Sequence, residues 1–461
     1  MGDRASAGNN AASAGATRLP AGLPPLILFA LYGLLCLLPV TLAALQGHPA
    51  RNIFRELSSG LVMVGYVMTL LQFVLSGRFE WISGRIGIDR TMRFHQVTSW
   101  AILSFILVHP LLYAVPRLFP DPMDAVNALQ RMFSSPNLRS GVIAWYLMIL
   151  LVLLAVFRDR LPIRYEYWRL SHGLFAVAIA VAGTAHTLGV GTYSADRWLA
   201  GFWIIATIVA VLAMLHIYVL KPLSQRNEPY RVVSNRKVAD RMWEVAVEPV
   251  RGPGMRFAAG QFVWLNLGHS TFSLTEHPFS ISSAPAERPR IAFTIKESGD
   301  FTNRIGAIAV GTPAYLDGPH GNFIVAGREA RGAVFIAGGV GFAPIMSILR
   351  QLKAERYPHP LRLIYGNRVA TQILYLEEIE ALKQALDLEV HYVLSEPPPG
   401  WTGSVGELSP GLLNDYIDSN GANDWLYFVC GPGPMMTSVE RTLTDRGVQR
   451  SRIVAERFKY D

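Results

Sequence analysis

The stretches HQVTSWAILSFILVH (residues 95–109) and HGLFAVAIAVAGTAH (residues 172–186) each begin and end with a histidine. In both stretches the two histidines lie 14 positions apart within a largely apolar run. Fourteen residues make close to four helical turns, so the histidines of a pair share one helix face, about 21 Å apart along the axis. Ionisable side chains inside apolar spans are costly and usually functional. The spacing therefore predicts two helices that carry imidazoles at two matching depths.

The four histidines form two predicted pairs. If the two helices run in the same direction, His95 faces His172 near one membrane surface and His109 faces His186 near the other. Haem iron accepts histidine as an axial ligand, and two facing imidazoles make a bis-histidine site. The pattern therefore predicts two haem b groups that form an electron path across the bilayer. The alternative is that these histidines make hydrogen bonds between helices, but the identical spacing of the two pairs favours haem.

The composition indicates a membrane domain followed by a water-soluble part. Of the 461 residues, 51% are hydrophobic and only 16% are charged, whereas soluble domains carry about 25% charged residues. The apolar excess precedes Lys221 and divides into runs near the ~20 residues that a spanning helix needs. These six runs are 23–45, 60–75, 94–115, 141–157, 170–190 and 198–220. We predict an all-α bundle of six transmembrane helices over residues 23–220, after a disordered cytoplasmic tail at residues 1–22.

The arginines between the apolar runs predict the orientation. Eight of them lie in the two loops that follow the second and fourth runs: Arg78, Arg85, Arg90, Arg93, Arg158, Arg160, Arg164 and Arg169. Cytoplasmic loops are enriched in basic residues, so both termini are predicted to be cytoplasmic. We expect an integral protein of a bacterial inner or plasma membrane. Because loop arginines account for the net charge of +8, no nucleic-acid partner is expected.

The chain after Lys221 has the pattern of a two-domain α/β protein. Short alternating runs joined by turn-rich segments predict an antiparallel β-barrel domain over residues 221–327. From Gly332 the order is strand, glycine-rich turn, helix and strand, which indicates a parallel sheet. We assign this second domain to residues 328–461.

The motif His277-Pro-Phe-Ser-Ile-Ser-Ser283 resembles the flavin motif of the ferredoxin–NADP reductase superfamily, in the form found in NADPH oxidases and ferric reductases. The resemblance implies an FAD site built from His277, Pro278, Phe279, Ser280 and Ser282. It places Phe279 against the isoalloxazine as a catalytic residue, and it places Thr302 at the FAD diphosphate.

A glycine-rich loop after the strand at 333–336 resembles the nucleotide loop of the same family. Glycines there let the backbone approach a diphosphate at a helix N-terminus, and the residues concerned are Gly338, Gly339, Gly341 and Pro344. The segment Cys430-Gly431-Pro432 resembles the second nucleotide loop, with Cys430 near the nicotinamide. Family members often end with an aromatic residue at the flavin, for which Phe458 is the better candidate and Tyr460 the alternative.

Arg368 could hold the 2′-phosphate of NADPH, because a planar guanidinium suits phosphate. It could also be an ordinary surface arginine, in which case the nucleotide is NADH.

The resemblance implies electron transfer from the nucleotide through FAD and the haems to an acceptor on the far side. Dioxygen, giving superoxide, is the leading acceptor, and a ferric chelate is the alternative. Two further interpretations are a transporter or sensor with a fused flavin module, and a soluble flavin reductase with a membrane anchor. Oligomeric state leaves no readable mark.

Overall fold

The structure is a computed structural model that describes residues 22–119, 121–414 and 422–457. The described residues form two compact units that divide after Ser224. The predicted tail at residues 1–22 lies outside the described residues except for Gly22.

The N-terminal unit is built from helices. Their bounds are α1 Pro25–Leu45, α2 Ile53–Leu71, α3 Glu80–Ile86, α4 Ile88–Leu118, α5 Pro122–Ser134, α6 Arg139–Val156, α7 Tyr165–Val190, α8 Arg197–Leu215 and α9 Lys221–Gln225. Six segments within the described part are long and apolar enough to cross a membrane, namely α1, α2, α4, α6 with the turn before it, α7, and α8 with its continuation to Gln225. The six predicted spans are therefore confirmed.

The second span begins earlier than the apolar pattern predicted. The helix starts at Ile53, where the Asn52 side chain accepts a hydrogen bond from the Phe54 N–H and caps the first turn. Its first two turns carry polar residues, which delay the start of the apolar run. One of them, Glu56, is paired with Arg51 at 2.8 Å, so its charge does not prevent the helix from forming.

The barrel domain of the C-terminal unit is an antiparallel sheet. Its strands are β1 Tyr230–Ala239, β2 Met242–Pro249, β3 Phe262–Leu267, β4 His277–Ser280, β5 Ile291–Lys296 and β6 Pro313–His320, in the order β4-β3-β6-β1-β2-β5. A bridge between Ile281 and Phe293 brings the two outer strands together, so the sheet curls on itself. Side chains such as Val263, Leu265 and Phe293 fill its interior. The predicted antiparallel FAD-domain fold is confirmed.

The nucleotide domain is a parallel sheet covered by helices. Its strands are β7 Gly332–Gly338, β8 Leu361–Asn367, β9 Leu388–Leu394, β10 Ser404–Val405, β11 Trp425–Cys430 and β12 Ile453–Ala455. Its helices are α10 Phe342–Ala354, α11 Leu376–Ala385, α12 Pro410–Asn414 and α13 Gly433–Asp445. The strand order is β10-β9-β8-β7-β11-β12. Strands β8 to β10 are added on one side of β7, and strands β11 and β12 on the other, so β7 and β11 flank the switch point of the strand order. Ligands of such sheets bind beyond the carboxyl ends of the strands at this switch point.

Candidate functional site

Helices α4 and α7 bring the rings of His95 and His172 close together. Their ring centroids lie 6.5 Å apart with an interplanar angle of 50°. A metal–imidazole bond is about 2 Å long, so imidazoles on opposite sides of one metal ion have ring centres roughly 6 Å apart. The observed separation therefore leaves room for a haem iron between the two rings.

The second histidine pair has a different environment. The Nδ1 atom of His109 lies 2.7 Å from the Ile106 carbonyl oxygen. If Nδ1 donates this bond, the Nε2 lone pair is free to bind a metal. The Nδ1 atom of His186 is buried and has no hydrogen-bond partner within the described residues. No ring contact joins His109 to His186 in the described part of the chain, so their pairing as ligands of one haem stays a prediction.

Helix α2 holds the backbone beside both histidines of α4. The Gln72 amide donates to the His95 carbonyl at 3.1 Å and to the Thr98 hydroxyl at 2.8 Å. The Ser58 hydroxyl donates to the His109 carbonyl at 2.7 Å. Sequence reasoning missed both residues, although Ser58 and Gln72 are also 14 positions apart. That matching spacing in a neighbouring apolar helix is the signal that would have found them.

The flavin motif lies on the outer strand β4 and forms an aromatic cluster. The His277 and Phe301 rings are stacked with centroids 4.4 Å apart, and the Phe279 and Phe301 rings are nearly parallel at 6.2 Å. All three rings are only partly buried, so a planar cofactor could cover them. The structure thus brings two predicted flavin residues together and adds Phe301 to them.

The hydroxyls predicted to contact FAD differ in accessibility. The Thr302 Oγ1 atom accepts the N–H groups of Ser298 and Gly299, each at 2.9 Å, and so closes a local turn. Ser280 is largely buried, whereas Ser282 is fully enclosed, and its hydroxyl has no hydrogen-bond partner in the described structure. Of these three hydroxyls, that of Ser282 is the least accessible to a ligand.

The two predicted nucleotide loops meet at the switch point of the parallel sheet. Strands β7 and β11 are neighbours, with Ala337 opposite Cys430. A Cβ atom added to Gly341 would lie within 2.6 Å of the Cys430 carbonyl carbon, and one added to Gly338 within 2.9 Å of Pro432. Only glycine permits this approach of the two loops. A third glycine, Gly339, has a φ of +54°, which L side chains rarely adopt.

The other residues predicted to bind the nucleotide lie in or near these loops. Pro344 lies in the first turn of α10, and Gly431 separates Cys430 from Pro432. The Cys430 side chain is 1% exposed. Burial raises the pKa of its thiol, so Cys430 is a neutral S–H group at physiological pH. Phe458 and Tyr460 lie outside the described residues.

Arg368 follows β8 at the edge of the nucleotide site and is already paired. Its guanidinium lies 3.1 Å from the Glu396 carboxylate, and both side chains are about 60% exposed. The Glu396 N–H also donates to the Arg368 carbonyl at 2.8 Å. The positive charge that favoured a phosphate therefore has a negative neighbour, which sequence reasoning did not predict.

Three families match successive parts of the chain. They are described as ferric reductase like transmembrane component over residues 61–183, FAD-binding domain over 229–322, and oxidoreductase NAD-binding domain over 335–441. The chain has the NADPH oxidase/ferric reductase architecture. This architecture combines the histidine-bearing bundle, the flavin barrel and the nucleotide domain in one integral membrane protein.

Curated relatives match part of this chain. NADH-cytochrome b5 reductase 1 of Candida albicans is 30% identical over 163 residues, covering 35% of this chain and 55% of the relative. One component of the Na(+)-translocating NADH-quinone reductase of Pasteurella multocida is 30% identical over 212 residues, covering 42% and 52%. The chain thus spans about half the length of the curated relatives it matches.

Solved structures also match about half of this chain. The ferredoxin reductase in carbazole 1,9a-dioxygenase is 22% identical with a TM-score of 0.45, covering 50% of this chain and 69% of that one. The FAD/NAD-binding domain of nitric oxide dioxygenase from Vibrio cholerae is 20% identical with a TM-score of 0.45, covering 50% and 97%.

Proposed function

We propose that the protein transfers electrons across a membrane, from a cytosolic nicotinamide nucleotide through FAD and two b-type haems to dioxygen on the far side. The balanced reaction oxidises one NAD(P)H and reduces two dioxygen molecules to superoxide, with release of one proton. The observation that carries the proposal is the 6.5 Å separation of the His95 and His172 rings within a chain of this architecture.

In this proposal His95, His109, His172 and His186 would hold two haems. The His109 ring, whose Nδ1 bonds to a backbone carbonyl, suits metal ligation through Nε2. The buried Nδ1 atom of His186 has no hydrogen-bond partner among the described residues, which leaves that nitrogen free for a ligand. When bound, haem supplies one-electron chemistry. If histidine held both sides of each iron, dioxygen would find no open coordination position, and outer-sphere transfer of the electron would be expected.

The barrel and the nucleotide domain would deliver the electrons. When bound, FAD accepts a hydride and releases electrons singly, which suits it to stand between nucleotide and haem. The cluster of His277, Phe279 and Phe301 offers ring faces to the isoalloxazine. The amides of Gly339 and Gly341 before α10 suit the nucleotide diphosphate. The neutral Cys430 thiol would lie at the nicotinamide, where it adds no charge.

The nucleotide is NADPH or NADH, and the two alternatives rest on neighbouring residues. Arg368 favours the 2′-phosphate of NADPH. However, Glu396 lies 3.1 Å from that guanidinium, and a carboxylate at this sheet edge suits the free ribose 2′-hydroxyl of NADH. Because Arg368 is already paired with Glu396, NADH is the second candidate nucleotide beside NADPH.

A second candidate function is reduction of a ferric chelate by the same electron path. The observation that favours it is the match to a ferric reductase like transmembrane component over residues 61–183. Outer-sphere transfer serves either acceptor, so the two functions differ only at the outer surface.

The test is nucleotide-driven activity of the full-length protein, purified in detergent with added FAD, while the visible spectrum is recorded. Cytochrome c reduction that is sensitive to superoxide dismutase is compared with ferric citrate reduction under argon. Reduced b-haem bands with dismutase-sensitive activity support the oxidase. Reduced bands with fast anaerobic iron reduction and little superoxide support the ferric reductase.

A matched pair of variants tests the haem assignment. His172→Leu removes a proposed ligand, whereas His216→Leu removes a histidine whose ring stacks on Phe79 at 5.8 Å and belongs to neither pair. We expect loss of haem in the first variant and normal haem in the second. Flavin reduction without haem bands in the unmodified protein would contradict the proposal and favour a transporter with a flavin module or an anchored flavin reductase.

A further inference from the structure

Helix α10 of the nucleotide domain is fastened to the end of the flavin motif. The Ser347 hydroxyl donates to the Ser283 carbonyl at 2.6 Å and accepts the Gly260 N–H at 3.3 Å. Both serines are fully buried. The helix that follows the first nucleotide loop therefore contacts two backbone segments of the barrel directly.

One turn further along α10, Arg350 joins three structural elements. Its Nη1 atom donates to the Ser282 carbonyl at 2.8 Å. Its Nε and Nη2 atoms form a bidentate pair with Glu378 of α11, each bond being 2.7 Å long. Nη2 also lies 3.6 Å from the Glu244 carboxylate of β2. With a side chain only 10% exposed, Arg350 links the flavin motif, the barrel wall and the nucleotide domain.

Tyr375, just before α11, extends this link onto the barrel. Its hydroxyl donates to Glu244 and contacts the Thr294 hydroxyl, both at 2.7 Å, while its ring lies 4.8 Å from the Arg350 guanidinium. The backbone of Tyr375 has a φ of +53°. Such a conformation is strained for a bulky residue and persists only where surrounding contacts over-determine it.

The carboxylate at the centre of this network remains charged. Burial by itself raises the pKa of Glu244, but hydrogen bonds from Tyr375 and Arg236, with the charge of Arg350, outweigh burial and hold the pKa below its usual range. A buried ion pair is no more stabilising than well-packed apolar residues, because both ions lose their hydration. Its directional bonds do fix geometry, which is the property that a junction between two cofactor domains needs.

We propose that Arg350 is a positioning residue for hydride transfer, which holds the nucleotide loop at a fixed distance from the flavin. This inference rests on the proposed function. Arg350 lies eight residues after Phe342, about 12 Å along a rigid helix that begins at the glycine-rich loop. The carbonyl that it binds belongs to Ser282, three residues after Phe279. Reaction requires donor and acceptor atoms about 3–3.5 Å apart, and a 1 Å displacement can cost about 100-fold in rate.

The experiment compares Arg350→Gln with Arg362→Gln in the full-length protein. Arg362 forms an equally short pair with Glu389, at 2.7 Å between β8 and β9, so its loss removes the same kind of bond within the nucleotide domain alone. Anaerobic stopped-flow absorbance measures flavin reduction over a range of NADH and NADPH concentrations. The same traces record the long-wavelength charge-transfer band that reports stacking of nicotinamide on flavin.

We expect Arg350→Gln to slow flavin reduction at saturating nucleotide by about 100-fold and to weaken the charge-transfer band, while FAD content and half-saturating nucleotide concentration change little. Arg362→Gln is expected to behave like the unmodified protein. Arg350→Lys should recover only part of the rate, because an ammonium group cannot form the bidentate bond. Reduction by Arg350→Gln at the unmodified rate overturns the proposal.

A second variant covers the case in which Arg350→Gln loses its FAD or fails to fold. Ser347→Ala removes only the hydroxyl between Gly260 and Ser283, so we expect slower flavin reduction with FAD retained. A normal rate in Ser347→Ala then overturns the proposal. Flavin reduction does not depend on haem. If the unmodified flavin is reduced by neither nucleotide, the proposed function itself fails, and that result is distinct from equal rates in variant and unmodified protein.

Discussion

The substitution Gly141→Ala tests the proposed outer haem site most directly. Gly141 lies near the start of α6, and a Cβ atom built there would come within 2.6 Å of Cε1 and 2.7 Å of Cγ in the His186 ring. Ordinary carbon–carbon contacts are about 3.5–4.0 Å. The imidazole must therefore retreat by roughly 1 Å, or α6 must move by a similar distance.

An iron–imidazole bond does not tolerate that displacement. Metal–nitrogen bonds are about 2 Å long and vary by about 0.2 Å in genuine sites. If His186 is an axial ligand, its bond in Gly141→Ala is lost while the His95/His172 site is untouched. We expect either one haem per FAD instead of two, or an outer haem that has become five-coordinate and high-spin.

The assay is the haem content from the pyridine haemochrome spectrum, together with electron paramagnetic resonance of the oxidised protein. Gly189→Ala is the control, because it lies three residues from His186 on α7 and a Cβ there has no neighbour within 4 Å. That variant should retain two low-spin haems. Two unchanged low-spin signals in both Gly141→Ala and His186→Leu would refute the assignment of His186 as a ligand, because the second variant removes the imidazole whether or not α6 moves.

Three further outcomes are expected. Glu396→Ser frees the Arg368 guanidinium from its 3.1 Å ion pair. The ratio of kcat/KM for NADPH to kcat/KM for NADH should then rise about tenfold. An unchanged ratio would mean that this ion pair plays no part in nucleotide selection. Gln72→Leu removes three hydrogen bonds to the His95 turn and should lower stability by about 1 kcal/mol in a detergent melting assay. The spectrum of the proposed inner haem should shift too, and melting without that shift would make Gln72 purely structural. Burial raises the pKa of the Cys430 thiol, so the thiol stays protonated at pH 8. Iodoacetamide should therefore label Cys430 only in the unfolded protein, as measured by mass spectrometry. Rapid labelling of Cys430 in the native protein would contradict its burial.

Several features could be predicted because they depend on neighbours along the chain. Membrane spans follow from the length and apolarity of single segments, and six were predicted and found. The strand–glycine–helix order at Gly338 and the second loop at Cys430 are likewise local. Their meeting at one edge follows from a general rule of parallel sheets.

Other features depended on which elements pack against each other. The start of α2 was misjudged because an ion pair and a cap offset its polar first turns. The partner of Arg368 could not be predicted, since Glu396 lies 28 positions away and approaches only through pairing of β8 with β9. The enclosure of Ser282 likewise required α10 to lie against the flavin motif.

The sequence by itself determined the six spans, the order of the three domains and the candidate histidines, because helical periodicity and strand alternation are short-range properties of a chain. Only the tertiary structure decided that His95 and His172 approach to 6.5 Å, that Gln72 and Ser58 bond to the backbone of α4, and that Arg350 joins the two cofactor domains. The physical reason is that hydrogen bonds and ion pairs act over about 3 Å, and such distances between residues far apart in sequence exist only after the elements have packed.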